Sequence, residues 1–159
     1  MLEFLAISYI QLNKLYSNLK QKMNNKTKIF IEKLRSSGLR PTKQRVDISK
    51  FLFNRKTTFH FTVEDLKNSM NQRRAKKIST ATFYNTVHAL KSAGHLKEFS
   101  LENNTSCYDT NITSHHHFFD NGKVTDIRSD KITFHKLPEA PKGKKIKNVE
   151  VVIRLENNN

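Results

Sequence analysis

The chain of 159 residues has few of the residues on which several common kinds of site depend. Cys107 is its only cysteine, so no disulfide can form within the chain and no Cys-x-x-Cys zinc site exists. A single thiol agrees with a reducing cytoplasm, where we expect the protein to act. Only four glycines occur, and neither a glycine-rich phosphate loop nor a hydrolase motif is found. The sequence therefore predicts a protein that is not an enzyme.

Long apolar runs are also missing. The longest lies within residues 1–15 and is interrupted by polar side chains, so it is too short and too polar to span a bilayer. It lacks the basic start of a secretory signal. We predict that residues 1–27 are an N-terminal extension. Within it, residues 1–22 fit an extra helix and fit equally well an untranslated leader ahead of Met23.

Basic side chains outnumber acidic ones, and the excess is uneven. The chain holds 29 Lys and Arg against 14 Asp and Glu, a formal net charge of +15. Residues 1–113 carry 20 of the basic and 8 of the acidic side chains. This asymmetry predicts one module that meets a polyanion, and nucleic acid is the default because phosphates release counterions to Lys and Arg. A solvated lysine-rich surface is the plain alternative.

Apolar side chains at helical spacing predict four helices, over residues 27–37, 42–53, 63–72 and 79–92. Thr62 is followed by Asp65 three residues later, which predicts a capping box, and Ser79 is a preferred cap for the fourth helix. Gly38 and Gly94 end the first and fourth helices. Strands over residues 95–101 and 106–110 follow. Three helices followed by this hairpin predict a winged helix-turn-helix, in which the helices over residues 63–72 and 79–92 are the helix-turn-helix itself.

The remaining chain has the pattern of strands. Asn121-Gly122 is a strong two-residue hairpin signal between residues 116–120 and 123–128. Residues 149–155 predict a last strand that is apolar on both faces for part of its length. Such a short segment has little core of its own, so burial against a second copy of the chain is expected.

Together these patterns predict an α+β fold. An N-terminal winged-helix DNA-binding domain covers residues 28–112. A small α/β domain for dimerisation and ligand sensing covers residues 113–156, and residues 157–159 form a polar tail.

Candidate DNA-binding residues cluster around the fourth helix. Hydrogen-bonding side chains lie beside or at the edge of its apolar stripe: Ser79, Thr80, Thr82, Tyr84, Asn85, Thr86 and His88. Such groups reach base edges in a major groove, where Asn pairs with adenine. Basic side chains that suit phosphates precede this helix or begin the second one: Arg73, Arg74, Lys76 and Lys77, and Arg40 and Arg45 with Thr42. An ordinary solvated polar face is the alternative.

The histidine triplet His115-His116-His117 is the candidate ligand site. Neighbouring residues of a strand alternate between faces, so at most two of the three point the same way. Further metal ligands would come from other segments, with His60, Asp109 and Asp126 as candidates. Imidazoles also ligate haem iron, and a surface polyhistidine stretch without function is the third alternative. For Cys107 we expect a buried, inert thiol rather than a redox sensor.

Three stretches in this order resemble the DNA-binding domain of the ferric uptake regulator family: Gly38-Leu-Arg-Pro-Thr-Lys-Gln-Arg45, His60-Phe-Thr-Val-Glu-Asp-Leu66 and Ser79-Thr-Ala-Thr-Phe-Tyr-Asn-Thr-Val-His-Ala-Leu90. Two further stretches look like its iron response regulator branch in alphaproteobacteria: Cys107-Tyr-Asp-Thr-Asn-Ile-Thr-Ser-His-His-His-Phe-Phe119 and Val149-Glu-Val-Val-Ile-Arg154. The resemblance covers about residues 28–156.

The resemblance implies a homodimer that binds AT-rich, partly palindromic operators, with Tyr84 and its helix in the major groove. It places the family's regulatory metal on four residues: His60, Asp109, His117 and Asp126. Two features depart from the family pattern. Phe119 stands where many members have a further histidine, and the cysteines of the family's structural zinc site are absent.

The iron response branch implies a response to haem through the triplet. The chain has no Cys-Pro motif, so haem sensing would depend on three residues: His115, His116 and His117. We therefore predict a haem-responsive regulator of iron and haem metabolism. Two alternatives stay open: a repressor of the same fold that requires ferrous iron or manganese, and a module that binds nucleic acid by charge alone.

Overall fold

A computed structural model of the protein describes residues 14, 15, 17, 18, 21, 25–72, 74–101 and 104–157. Most of the predicted N-terminal extension lies outside these residues, and so does Arg73. The helices are α1, whose described part includes residues 25–36, α2 (Lys43–Phe53), α3 (Val63–Asn71) and α4 (Thr80–Ser92). Described residues 14, 15, 17, 18 and 21 are helical as well. The four predicted helices are confirmed, and the bounds of α2, α3 and α4 and the end of α1 differ from the prediction by at most one residue.

The predicted helix ends are also confirmed. Thr62 Oγ1 accepts a hydrogen bond from the Asp65 N–H at 3.1 Å, and the Asp65 carboxylate accepts one from the Thr62 N–H at 3.3 Å. Ser79 Oγ accepts from the Thr82 N–H at 3.2 Å. Gly38 and Gly94 adopt φ of 71° and 75° after their helices, a backbone conformation that costs glycine little. These caps satisfy backbone groups that the helices leave unpaired.

The core forms where α2 and α3 pack against α4. Phe83, Val87 and Leu90 lie on one face of α4 and are fully buried. Ile48 from α2 and Leu66 from α3 meet them there. Burial of a large apolar side chain contributes about 1.5–3 kcal/mol, so this cluster fixes α4 in the molecule and leaves its opposite face for solvent.

The first sheet has the order β1-β3-β2 and is antiparallel throughout. Strands β2 (Lys97–Ser100) and β3 (Ser106–Asp109) form the predicted wing. Strand β1 (His60–Phe61) was not predicted, because two residues are too short to show a periodic pattern. It pairs with β3, which becomes the central strand.

The second sheet has the order β5-β4-β6. Strands β4 (His115–Asp120) and β5 (Lys123–Arg128) form the predicted hairpin, and the turn residues Asn121 and Gly122 have φ of 45° and 84°. Such positive values are typical of a two-residue hairpin turn. Strand β6 (Val152–Arg154) pairs in parallel with β4 and is shorter than the predicted strand over residues 149–155.

The second part of the chain contains little helix. Between β5 and β6 the regular structure is one 3-10 turn, Ser129–Lys131, and the structure describes no α-helix after α4. Pro138 and Pro141 lack a backbone donor and interrupt this stretch. The helical component predicted for residues 113–156 is thus limited to that turn. None of the helices in the described ranges is long and apolar enough to cross a membrane.

Candidate metal centre and nucleic-acid surface

Five side chains converge at the junction of the two sheets. Each offers one ligand atom, and all five atoms lie within 4.8 Å of one another; the residues are His60, Asp109, His115, His117 and Asp126. We call this group the pentad. All five are among the candidates predicted from the sequence, and the structure brings them together.

The register of the strands explains the convergence. His60 on β1 is the partner of Asp109 on β3, and His117 on β4 is the partner of Asp126 on β5. His115 precedes His117 by two residues, so both side chains point to the same face of β4. The short link from Asp109 to His115 then holds the two sheets close to each other.

Two short contacts join nitrogen to oxygen within the pentad. His115 Nε2 lies 2.8 Å from Asp109 Oδ2, and His60 Nε2 lies 2.8 Å from Asp126 Oδ1. The imidazoles also approach each other, with 2.9 Å between the Nε2 atoms of His115 and His117. Asp109 and His117 are fully buried, whereas the Asp126 side chain is 26 % exposed.

A divalent cation fits this arrangement of atoms. The Thr113 carbonyl can only accept a hydrogen bond, so its 2.9 Å contact with His115 Nδ1 places the ring proton there. In its neutral form, His115 Nε2 then turns a lone pair toward the Asp109 carboxylate. His60 Nε2 and Asp109 Oδ2 are buried without a hydrogen-bond partner. Lone pairs that face one another in a buried site repel unless a cation lies among them.

The Asp109 carboxyl group is held in its charged form. Burial alone would raise its pKa, but contacts with His117 and His60 and the backbone N–H of Asn111 outweigh burial and hold the pKa well below its usual range. A buried carboxylate that stays ionised is a strong ligand for a metal ion.

Three imidazoles and two carboxylates make a set of three nitrogen and two oxygen ligands. Sulfur is absent from the set, because Cys107 lies outside the pentad. Nitrogen and oxygen ligands without thiolate suit manganese and ferrous iron, and imidazole also suits zinc.

Phe99 of β2 forms the floor of the pentad. Its ring stacks on the His117 ring with 4.1 Å between centroids and 14° between planes. The His60 ring meets Phe99 edge-on at 6.2 Å. This contact fixes the His117 ring from the winged-helix side. Phe99 was not among the residues predicted from the sequence.

His116 is not part of the pentad. Its side chain lies on the opposite face of β4, where Nδ1 accepts a hydrogen bond from the Val151 N–H at 3.3 Å and the ring meets Phe134 edge-on. The structure therefore separates His116 from His115 and His117, because successive strand residues alternate between faces.

Cys107 is buried, as expected. It is 2 % exposed, and burial raises the pKa of its thiol to about 12. A thiol that stays protonated in the interior is a poor nucleophile and a poor metal ligand.

The outer face of α4 is the second candidate site. Tyr84 is 41 % exposed, and Ser79, Thr80, Asn85 and His88 are also exposed. Thr86 was grouped with this face and is fully buried; its hydroxyl donates to the Thr82 carbonyl at 2.6 Å. Thr82 is half-buried, and its hydroxyl lies 2.9 Å from that of the cap Ser79.

The predicted phosphate contacts lie at two places. Arg40 is exposed ahead of α2, where its carbonyl accepts from the Arg45 guanidinium, and the Thr42 hydroxyl caps α2. Lys77 is exposed in the turn before α4 and donates to the Asn71 carbonyl. Arg74 instead pairs with Asp47 of α2 at 2.8 Å and is half-buried, so it holds the turn to α2.

A model of the ferric uptake regulator family matches residues 36–154. The chain belongs to the ferric uptake regulator family. The family consists of regulators rather than enzymes, which confirms the prediction that the chain is not an enzyme. The peroxide-responsive repressor PerR of Staphylococcus aureus (strain Mu50 / ATCC 700699) is 31 % identical over 100 residues. That match covers 62 % of this chain and 66 % of the relative, slightly less than two thirds of its length.

Solved structures of the family share the fold. The Vibrio cholerae ferric uptake regulator superposes with a TM-score of 0.60 at 17 % identity, over 80 % of this chain and 98 % of that one. The Pseudomonas aeruginosa ferric uptake regulator with manganese gives 0.57 at 19 % identity, over 81 % and 99 %. A zinc-bound manganese uptake regulator gives 0.56 at 24 %, over 80 % and 98 %. The predicted α+β fold is confirmed.

Proposed function

We propose that the protein is a metal-dependent, DNA-binding transcription regulator whose effector is a divalent cation held by the pentad. One observation carries the proposal: the ligands come from both parts of the chain. His60 and Asp109 belong to the winged-helix part, and His115, His117 and Asp126 belong to the second sheet and its leading edge. A bound ion would therefore fix how the two parts meet.

The residues of the pentad act by holding their ligand atoms toward one point. A divalent cation supplies the positive charge that balances the two carboxylates there. Without it, the facing lone pairs and the buried Asp109 charge favour separation of the two sheets. With an ion held by these five residues, the joined arrangement would be favoured, and DNA that prefers the same arrangement would be bound more tightly.

Manganese or ferrous iron is the effector that we propose. The pentad has no sulfur ligand, and its carboxylates suit these ions. The solved ferric uptake regulators of Pseudomonas aeruginosa and Francisella tularensis are described with manganese and with iron, respectively, which supports the same class of ion here.

DNA is proposed to bind along the exposed face of α4 as predicted: Tyr84 and Asn85 would meet base edges in AT-rich operators, while Lys77 and Arg40 would meet phosphates. A homodimer is the proposed active form. Ile153 and Leu155 at the last strand are 36 % and 46 % exposed, so a second copy has apolar surface to cover.

Haem is the competing effector, as in the iron response regulator branch that the triplet resembles. The buried triplet argues against it. The Nε2 atoms of His115 and His117 point at each other and at Asp109, and His116 is 3 % exposed. Axial ligation of haem needs an imidazole nitrogen that reaches a large planar ligand. Haem is nevertheless included in the test.

The test is DNA binding by the full chain, measured by fluorescence anisotropy with an AT-rich palindromic duplex and a scrambled duplex of equal length. The metal-stripped protein is compared with protein in Mn²⁺, in Fe²⁺ without oxygen, and in haem. We expect Mn²⁺ or Fe²⁺ to tighten binding to the palindrome at least tenfold. A chelator should reverse the effect.

H117A is expected to lose the metal response, because it removes a fully buried ligand. H135A is the matched control, since His135 is exposed and lies outside the pentad. Tight, selective binding by stripped protein that haem weakens would replace the proposal with the haem mechanism. Equal binding to both duplexes under all conditions would favour attraction by charge alone.

A further inference from the structure

Asn111 lies outside the pentad and contacts both of its carboxylates. The Asn111 backbone N–H donates to Asp109 Oδ1 at 2.8 Å, and its side-chain Nδ2 donates to Asp126 Oδ2 at 3.0 Å. Asp109 lies on β3 and Asp126 on β5, so one residue connects the carboxylate of each sheet.

Each hydrogen bond from Asn111 occupies the oxygen that faces away from the imidazoles. The other oxygens, Asp109 Oδ2 and Asp126 Oδ1, are those that lie 2.8 Å from His115 Nε2 and His60 Nε2. A carboxylate with one oxygen held by Asn111 presents only its other oxygen to the imidazoles. Asp109 and Asp126 are thus oriented so that each offers one oxygen to a metal ion.

The side-chain oxygen of Asn111 has its own partners. Its Oδ1 accepts from the Thr113 N–H at 3.1 Å and from the Thr113 hydroxyl at 2.6 Å. The Thr113 carbonyl in turn accepts from His115 Nδ1 at 2.9 Å and from the Lys97 ammonium group at 2.6 Å. Asn111 therefore supports the same turn that orients the His115 ring.

We infer that Asn111 is a positioning residue of the metal centre: its side chain fixes Asp126 as a ligand through one oxygen and holds the turn that orients His115. This inference rests on the proposed function, because it assumes that the pentad binds a metal ion. Hydrogen-bond partners of metal ligands hold the ligands in the geometry that the ion needs, and their loss commonly weakens affinity 10- to 100-fold.

Asp126 is the ligand that needs this support most. Its side chain is 26 % exposed, while the Asp109 side chain is fully buried and fixed by a backbone donor that no side-chain substitution removes. Loss of the Asn111 side chain therefore frees Asp126 to rotate toward water and leaves Asp109 in place.

The experiment measures Co²⁺ and Mn²⁺ affinity of the full chain by competition with a chromophoric chelator, together with the visible absorption spectrum of the Co²⁺-loaded protein. N111A is expected to weaken both affinities about tenfold or more. Its Co²⁺ bands should shift in position and intensity, because the ligand field changes when Asp126 no longer binds through a fixed oxygen.

A double-mutant cycle tests whether Asn111 acts through Asp126. In the D126A background, the substitution N111A should cost less affinity than in the wild type, because only its effect on the turn that orients His115 remains. Equal losses in both backgrounds would overturn the inference, since a general effect on folding does not depend on Asp126. Wild-type affinity and spectrum in N111A would overturn it as well.

Two further variants test whether a loss of affinity in N111A comes from misfolding or from the substitution of an asparagine as such. N111S covers the case in which N111A does not fold: its hydroxyl still accepts from the Thr113 N–H but is too short to reach Asp126, so the part of the loss that comes from Asp126 is expected to remain. N68A is the control, because Asn68 is exposed on α3. The proposed function fails if the wild-type chain binds neither ion, or if H117A binds both ions as tightly as the wild type. If the wild type binds the ions and N111A binds them equally well, only the role of Asn111 is overturned.

Discussion

His60 lies directly opposite Asp109 on neighbouring strands, with 3.4 Å between Nε2 and Oδ2. The pairing is fixed by the backbone around it, because the Phe59 N–H donates to the Thr110 hydroxyl and the Thr110 N–H donates to the Phe59 carbonyl. Two potential ligands are thus held together by the fold itself. A site of this kind is preorganised, and a metal ion that occupies it should stabilise the folded chain.

Metal binding is expected to raise the melting temperature. At a free Mn²⁺ concentration 100 times the dissociation constant, the stabilisation is about 2.7 kcal/mol, or roughly 5–10 °C for a chain of this size. H60A should lose this shift, because it removes a ligand that the β1–β3 pairing holds in place. The shift is measured by circular dichroism of stripped and loaded protein. H135A should keep it, and an equal shift in H60A would show that Mn²⁺ binds elsewhere.

Much of the fold was predictable because its signals are local. Thr62 and Ser79 indicate where helices begin, Gly94 indicates where a helix ends, and Asn121-Gly122 indicates the hairpin. Each of these signals depends on the conformation of a few neighbouring residues. Strand β1 gave no such signal. A two-residue strand exists only because β3 lies beside it, and that proximity is a tertiary property.

The candidate site was predictable in its residues but not in its geometry. Alternation along β4 indicated that the triplet must divide, yet nothing in the sequence tells which face meets Asp109. Asn111 was missed for a related reason. The pattern Asp109-x-Asn111 after a strand is a weak signal for a turn, and its contact with Asp126 arises only when the two sheets meet.

Cys107 is expected to resist thiol reagents in the folded protein. It is 2 % exposed, and burial raises its pKa to about 12, so little thiolate exists near neutral pH. The measurement is the rate of reaction with an aromatic disulfide reagent at pH 7.5, before and after unfolding in guanidinium chloride. We expect at least a hundredfold slower reaction in the folded state. Similar rates in both states would mean that the first sheet opens readily.

Stability is expected to depend on pH through His95. The ring lies between Lys33 Nζ, 3.3 Å from Nδ1, and Ser36 Oγ, 2.8 Å from Nε2. Burial, and then the charge of Lys33, lowers the pKa of His95 below its ordinary value of 6.5. The folded state therefore disfavours the protonated ring. The neutral His95 ring contributes fully to stability above pH 6.5, and this contribution is lost as the pH falls from 6.5 through the lowered pKa of the folded state.

The variant H95N isolates this contribution, because asparagine does not titrate. Between pH 7.5 and pH 5, the wild type should lose more unfolding free energy than H95N, as measured by guanidinium unfolding of metal-stripped protein. K33M should reduce the wild-type loss, since it removes the neighbouring charge. The explanation fails if wild type and H95N lose stability equally over this range.

DNA contacts made to bases and to phosphates near α4 are expected to differ in how strongly they depend on salt and on the DNA sequence. Asn85 is exposed on α4, so N85A is expected to cost about 1–3 kcal/mol on the preferred palindrome and little on a scrambled duplex. Lys77 lies in the turn before α4, so K77A should weaken both duplexes alike and lower the slope of log affinity against log salt by about one.

The control for charge is K136A, which removes the same charge from the loop after β5. It should leave the salt slope of the palindrome unchanged, because Lys136 lies outside the surface built from α4 and the turn before it. Anisotropy titrations of Mn²⁺-loaded protein at four salt concentrations give the salt slopes of the wild type, K77A and K136A. If K136A and K77A lowered the slope equally, net charge rather than α4 would govern binding. If N85A weakened both duplexes alike, α4 would contact DNA without reading its sequence.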